Sequence, residues 1–313
     1  VKHAREEAGN GDTILVIDEA HEYNTNIEVL LAWARIQTKR NPHFKVLIMS
    51  ATVDQQRLSD FFGKAPVIEV PGRQFTITDL SPTGTMESDA IWHLQQGKNV
   101  LVFLPGRGEI EEFMSAIERS QVVAKVLPLH ADLLPEEQQA CFETFKVPKL
   151  IVATNVAQTS ITIPDVDVVL DSGLERRNEI HFGVEGLYLN DISLACRKQR
   201  RGRVGRTKPG IYVDYNPKPL GRRDAFPTPE IERSHLDQVV LRLAAEGFDM
   251  ERLPFVHRPN RQEVRQAKHL LQHLKCLDAK GNVTALGHTI SMLPVGARTW
   301  LMLLEGHAKG VSE

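Results

Sequence analysis

Apolar positions near the start of the chain come in short runs separated by polar breaks. Thr13-Ile14-Leu15-Val16-Ile17 is a continuous β-branched run, which predicts a strand buried in a parallel sheet. Over Asn26–Arg40 the apolar residues Ile27, Leu30, Leu31 and Ala34 fall on one helical face. Lys45–Met49 reads as a second buried strand, ending at Ser50-Ala51-Thr52. A short helix over Gln55–Phe62 and a strand over Val67–Val70 come next, and Pro71-Gly72 breaks the pattern.

A second α/β set begins beyond that break. The spacing predicts a helix near Ser88–Gln96, a strand over Asn99–Leu104, and a loop at Pro105-Gly106-Arg107-Gly108. A helix from Glu109 to about Glu118, a strand Val123–Leu129 and a helix Pro135–Phe145 come next. Strands at Lys149–Ala153 and Val166–Asp171 complete the set, and His181–Tyr188 suits a hairpin with glycines at its turn. Strands alternating with helices indicate βαβ units and a parallel sheet. From about Thr228 helices take over. Ile231–Gly247 carries Leu236, Val239, Val240 and Leu243 with a glycine at the C-cap position. Arg261–Leu274 is amphipathic, and Leu277–Val283 reads as a tight hairpin. Helix, helix and small β-wing make a winged-helix pattern.

Composition changes this picture little. A chain of 313 residues favours more than one domain. With 42% hydrophobic and 25% charged residues and a net charge of −2, the whole molecule does not announce a polyanion partner. Positive charge for nucleic acid must then be local. Cys141, Cys196 and Cys276 are isolated, which argues against a zinc or disulfide scaffold and favours a reducing, intracellular, cytoplasmic setting. No apolar run approaches membrane-spanning length, so no membrane role is expected. Gly-x-x-x-x-Gly-Lys-Ser/Thr does not occur, and the chain, which opens on Val1, looks like a piece of something longer.

The candidate chemistry sits at strand ends. Asp18 and Glu19 emerge from the carboxyl end of a predicted parallel strand, where open α/β sheets bind ligands. Adjacent carboxylates there suit Mg²⁺ on a triphosphate and polarisation of the attacking water, or simply a polar loop. His21 is either a loop histidine or catalytic, and Ser50 and Thr52 are either helix caps or phosphate-side hydroxyls. Thr154, Asn155, Thr159 and Ser160 come after the strand Lys149–Ala153 and are placed to bond a phosphate backbone, or to make a turn. Six of the ten residues in Arg197–Arg206 are cationic, with Gln199 and paired Gly-Arg steps among them. Arg203 and Arg206, three apart, would face one way on a helical turn, as arginine fingers to phosphate, with Gln199 on the neighbouring turn. The alternative is a solvated basic patch.

These motifs together resemble the DEAH-box helicases of superfamily 2. The resemblance rests on Asp18-Glu19-Ala20-His21, Ser50-Ala51-Thr52, Phe103-Leu104-Pro105-Gly106, the run Ala153–Ile163, and Gln199–Arg206, in that order. Pro229-Glu230-Ile231-Glu232-Arg233 resembles the family's winged-helix region, and Leu286-Gly287-His288 through Pro294 the start of its helical bundle. The resemblance implies a partial RecA-like domain over 1–72, a second over 73–227, a winged helix over 228–284 and a helical bundle from 285 to 313.

It also implies roles. Asp18 and Glu19 would hold Mg²⁺ largely through water, with Glu19 activating the attacking water and His21 beside them. Ser50 and Thr52 would couple hydrolysis of ATP or another NTP to domain movement. Gln199, Arg203 and Arg206 would reach the phosphates, and Arg107, Thr154, Asn155 and Thr159 would contact nucleic acid. Glu179–Leu189 would be the strand-separating hairpin.

The partner so implied is single-stranded or partly duplex RNA, with a protein activator conceivable. The chain taken alone would be inactive without a P-loop. The sequence departs from the family pattern with Tyr23 where Arg is usual, Pro105 for Thr, and Gln158 for Glu. A DNA translocase and a non-catalytic binding platform on the same fold are the other readings that the residues leave open.

Overall fold

The β-branched opening run does form a strand, β1 (Thr13–Ile17), as seen in a computed structural model that describes residues 12–50, 54–70, 72, 75–158 and 163–311. Asn24 caps helix α1 (Thr25–Arg40) by accepting from the Ile27 N–H at 3.0 Å. β2 (Phe44–Ile48) then returns parallel to β1, with Ile17 opposite Ile48. Helix α2 (Gln55–Phe61) comes next. Ile17, Leu31, Leu58 and Phe61 form the core of this first lobe.

The expected strand at Val67–Val70 is not there. Val67, Ile68 and Val70 are exposed and pair with no described strand. A β-branched run without a neighbouring edge to bond has nothing to hold it as a strand.

The second lobe is built on six parallel strands. In chain order they are β3 (Ile77–Leu80), β4 (Val100–Phe103), β5 (Lys125–Leu129), β6 (Lys149–Ala153), β7 (Val168–Asp171) and, after a hairpin, β10 (Gly210–Asp214). They lie side by side as β3-β10-β7-β4-β6-β5, and the connections cross over through α3 (Met86–Gln95), α4 (Arg107–Arg119) and α5 (Pro135–Gln139). Alternation along the central strand explains the layering. Val100 and Val102 pack on α3 and α4, while Leu101 and Phe103 face Leu129, Ile151 and Tyr212 on the other side. The result is the RecA-like sheet implied by the motifs.

Several boundaries differ from the sequence pattern. The helix expected over Pro135–Phe145 stops at Gln139 and tightens into a 3₁₀ turn at Ala140–Phe142. Edge strand β3 and strand β10 carry no clear period in the sequence and emerge only in the fold. The hairpin is longer than expected, β8 (Leu174–His181) pairing antiparallel with β9 (Val184–Asp191) about a Phe182-Gly183 tip. Helix α6 (Leu194–Arg201) is started by Ser193, whose hydroxyl accepts from the Cys196 N–H.

In the C-terminal region the single helix expected over Ile231–Gly247 is two: α7 (Glu230–Arg233) and α8 (Asp237–Ala245). Ser234-His235-Leu236 interrupts it so that Ile231 and Leu236 both reach the core shared with α9 (Arg261–His273). The wing reduces to one antiparallel bridge, Leu277 with Val283. Helices α10 (Ala285–Ser291) and α11 (Ala297–Ala308) end the described chain.

This region is anchored on the first lobe. Glu28 of α1, fully buried, accepts from His257 Nδ1 at 2.6 Å and from the His257 N–H at 3.4 Å. Glu230 accepts from the Thr25 N–H and hydroxyl at 2.7 and 2.9 Å. Among the described residues no helix is long and apolar enough to cross a membrane.

Gly287 is the tightest contact of the helical region, since an added Cβ would sit 2.1 Å from the Cys276 carbonyl oxygen. Overpacking of this kind costs about 1–3 kcal/mol. Gly287→Ala is expected to lower the stability measured by denaturant unfolding by that amount. Gly108→Ala, on α4 with open space around it, should raise it by about 0.5–1 kcal/mol.

Candidate nucleotide and nucleic-acid sites

The first half of the candidate nucleotide site grows out of β1. Asp18 and Glu19 come directly after its last residue, and the Glu19 N–H donates to Asp18 Oδ1 at 2.8 Å. A 3₁₀ turn, Ala20–Glu22, is flanked by two non-glycine residues in the left-handed region, Glu19 (φ 52°) and Tyr23 (φ 41°). Such conformations persist only where the surroundings enforce them, and they gather at functional loops.

Two contacts enforce this one. The Ala20 N–H donates to the Met49 carbonyl at 3.2 Å, and His21 Nδ1 lies 3.0 Å from Ser50 Oγ. His21 also approaches Glu19 Oε2 at 3.3 Å. The loops after β1 and β2 are therefore joined through His21, with Glu19 on the open side. Asp18 and Glu19 offer hard carboxylate oxygens, the donor type Mg²⁺ takes together with substrate phosphates and water. Among the described residues no group of three or more His, Cys, Asp or Glu is gathered for a metal. Thr52 lies outside the described residues.

Tyr23 is buried and meets the His257 ring edge-on at 4.5 Å, so the loop that carries the acidic motif ends packed against the C-terminal region. Burial, aided by Glu28, raises its phenol far above the usual tyrosine range.

The second half comes from α6 and the turn at its C-terminal end. The basic stretch is not a solvated patch. Arg197 pairs with Asp214 at 2.8 Å, Arg201 with Asp79 at 2.7 Å, and Arg200, fully buried, with Asp171 at 2.8 Å. Nor do Arg203 and Arg206 share a helical turn. The helix ends at Arg201 with Gly202 as its C-cap, which leaves Arg203 buried and Arg206 exposed in the turn beyond.

Arg203, buried in this turn, lies within reach of the charge of Glu19 in the first lobe. Burial and the charge of Arg206 lower its pKa to about 10, and Glu19 acts in the opposite sense, so it stays protonated at neutral pH. Its Nη2 donates to the Gln158 carbonyl oxygen, and the Gln158 side chain donates to Gln199 Oε1 at 2.6 Å. Gln158 and Asp171 carry this arrangement; the sequence marks Gln158 only as a departure from the family pattern and Asp171 only as a strand end. Their signal is their place at strand ends, in the loops that the basic stretch meets.

A separate cavity of about 630 Å³ brings together Arg107, Thr154 and Asn155 with Pro105, His130 and Arg176. Arg107 opens α4 and bonds Glu111 at 2.8 Å; Thr154 and Asn155 come directly after β6. Arg176 of the hairpin reaches Glu109 at 2.6 Å across the mouth. Thr159 lies outside the described residues. The three described nucleic-acid candidates thus line one cavity, to which Glu19 and Arg203 do not contribute.

Burial lowers the pKa of His21 from 6.5 against the pull of Glu19, Glu22 and Asp18. The unfolded chain then binds a proton at a pH where the folded one resists it. The stability this contributes is complete above 6.5 and is lost as pH falls through that value toward the folded pKa. Thermal unfolding from about pH 7.5 to about pH 5.5 should show wild type losing more stability than His21→Gln. Equal losses would place the imidazole in water.

Comparison with known proteins agrees with this geometry. Residues 86–208 match the helicase conserved C-terminal domain, and residues 269–295 match the winged-helix helicase associated domain (HA2). The chain is 34% identical to the ATP-dependent RNA helicase HrpA of Escherichia coli, over 96% of this chain and 25% of that protein. It is 30% identical to the pre-mRNA-splicing factor ATP-dependent RNA helicase prp22 of Schizosaccharomyces pombe, over 96% of this chain and 28% of the relative. It thus spans about a quarter of the length of these curated relatives. With acidic loop, arginine turn and both domain matches in their expected order, the chain belongs to the DEAH-box helicases of superfamily 2.

Proposed function

We propose that this chain supplies groups on both faces of the nucleotide cleft and much of the strand-binding surface of an ATP-dependent RNA helicase. One observation supports the reading above others. Glu19 of the first lobe lies near enough for its charge to act on buried Arg203 of the second, with Glu19 beside the His21–Ser50 link and Arg203 bound to the Gln158 carbonyl. A pure binding platform has no physical need for a carboxylate and a desolvated guanidinium facing one another.

In this reading ATP, or another NTP, lies between them. Glu19 orients and deprotonates the attacking water, with His21 keeping the loop in register with Ser50. Arg203, with Arg206 and Gln199, meets the negative charge that spreads over the transferring phosphoryl oxygens. Mg²⁺ held by Asp18 and Glu19 would supply further neutralisation of the phosphates. Ser50 and Thr52 transmit the state of this loop to lobe movement.

Arg107, Thr154, Asn155 and Thr159 hold the sugar-phosphate backbone without reading sequence. The hairpin Glu179–Leu189, with Phe182 exposed at its tip, separates strands. The division into residues 1–72, 73–227, 228–284 and 285–313 is part of the proposal, supported by the separate apolar cores of the two lobes and the helical region. An intracellular, reducing location suits the three free cysteines. With no Gly-x-x-x-x-Gly-Lys-Ser/Thr in the sequence, these 313 residues alone are proposed not to turn over nucleotide.

RNA-stimulated ATP hydrolysis, measured on the chain joined to a P-loop-bearing upstream segment, tests this. Turnover should rise with RNA and collapse in Glu19→Gln. Arg203→Ala should fall by about 10³-fold, the lower range for loss of an arginine finger. Tight RNA binding without turnover would favour the platform instead, and equal stimulation by DNA would favour a DNA translocase.

A further inference from the structure

The turn that presents Glu19 is three residues long, Ala20–Glu22, and it ends on Tyr23. Two backbone bonds tie its ends together. The Glu22 N–H donates to the Glu19 carbonyl at 3.0 Å, and the Tyr23 N–H to the Ala20 carbonyl at 3.4 Å. With so little slack, a shift at Tyr23 reaches Glu19 through the backbone itself. Tyr23 has φ at 41°, a conformation that a bulky residue keeps only where packing holds it.

Much of that hold comes from the C-terminal region. The buried Tyr23 ring meets His257 edge-on at 4.5 Å, and the Tyr23 carbonyl accepts from the Glu230 N–H at 3.3 Å. Val256 packs on the apolar cluster that contains Ala20, Tyr23 and Leu58. His257 is itself fixed, its Nδ1 donating to Glu28 at 2.6 Å. The Tyr23 hydroxyl is buried and has no hydrogen-bond partner among the described residues, so the ring and not the O–H makes the attachment. Position 23 is also where this sequence departs from the arginine usual in the family. The Glu28 carboxylate that a cation there would seek is already engaged by His257, which suits an uncharged ring.

We infer that Tyr23 is a positioning residue through which Glu230 and His257 of the C-terminal region set where Glu19 stands for hydrolysis. This rests on the nucleotide site proposed above and adds the C-terminal region to the groups that determine its turnover. Tyr23 acts through the turn, so it governs the rate of hydrolysis and not the affinity for nucleotide.

The test measures RNA-stimulated ATP hydrolysis and ATPγS binding in the intact protein, with turnover expressed per ATPγS site so that unfolded molecules drop out. Tyr23→Leu keeps an apolar group but removes the ring. His257→Asn keeps a donor for Glu28 where Nδ1 stood but removes the partner of the ring. A misplacement of about 1 Å can cost roughly 100-fold in rate. Both variants should lower kcat by at least about tenfold, with ATPγS affinity and the KM for ATP within about threefold of wild type. Tyr23→Phe should stay within about twofold, since the lost hydroxyl bonds nothing. The double variant should be no slower than the slower single one, because both cut the same link. Leu58→Ala opens the same core from α2, and should lower the unfolding midpoint while kcat per site stays within about twofold.

Unchanged kcat in Tyr23→Leu or His257→Asn overturns the inference, as does an equal fall in Leu58→Ala or in Tyr23→Phe. Loss of ATPγS affinity in step with kcat, or independent losses that multiply in the double variant, overturn it too. If Tyr23→Leu yields no ATPγS sites, His257→Asn decides by the same criteria. The nucleotide site survives each of these results so long as Glu19→Gln abolishes turnover. A wild-type protein without turnover, or one indifferent to Glu19→Gln, removes the proposed function and the inference together.

Discussion

The ion pair between Arg200 and Asp171 holds the second half of the site in place. Both side chains are fully buried, and Asp171 also accepts from the Tyr212 hydroxyl and the Gly173 N–H, each at 2.8 Å. Arg200 lies over the Phe103 ring at 4.9 Å. Burial alone would favour loss of its proton, yet Asp171 and then Glu175 outweigh it and hold the group above its ordinary pKa. Strands β4, β7, β8 and β10 and the turn at Gln158 therefore meet at one cation. Such a pair adds little net stability, but removing one partner strands the other, typically at about 3–5 kcal/mol. What it secures is geometry, because every bond to a guanidinium has a fixed direction.

The first half of the site is organised differently. There a short loop in a strained backbone conformation is held by two neighbouring contacts, to Met49 and Ser50. Buried His21 supplies the side-chain link between the two loops. The contrast matches the tasks. In the proposed reading Glu19 answers to a bound ligand, whereas the residues around Arg200 need only stay still.

Much of this is legible from residue order. Strands that are buried on both faces, such as β4 and β6, appear as unbroken apolar runs, and the acidic and arginine motifs sit beyond strand ends as ligand sites do. Edge strand β3 is not legible, because Ile77–Leu80 is mostly exposed and gains its order from Gly210–Val213 more than a hundred residues away. The Val67–Val70 run misleads for the opposite reason, having strand composition without a partner. The arginine turn misleads through local spacing, since a period of three says nothing about where Gly202 ends the helix. The role of Gln158 depends on Arg200, 42 residues away in sequence, and no short window of sequence contains both with their orientation.

The anchoring of the C-terminal region on the first lobe has a mechanical consequence. Residues after the second lobe return to α1 through Glu230–Thr25 and His257–Glu28, so the second lobe is attached at both its ends to one and the same body. A part pinned at two points keeps a single easy freedom, rotation about the line through its pins. It behaves as a gate on two hinges rather than a bead on a string. A rotation of the second lobe about that line would carry Arg203, the Arg107 cavity and the hairpin together, since all three belong to it.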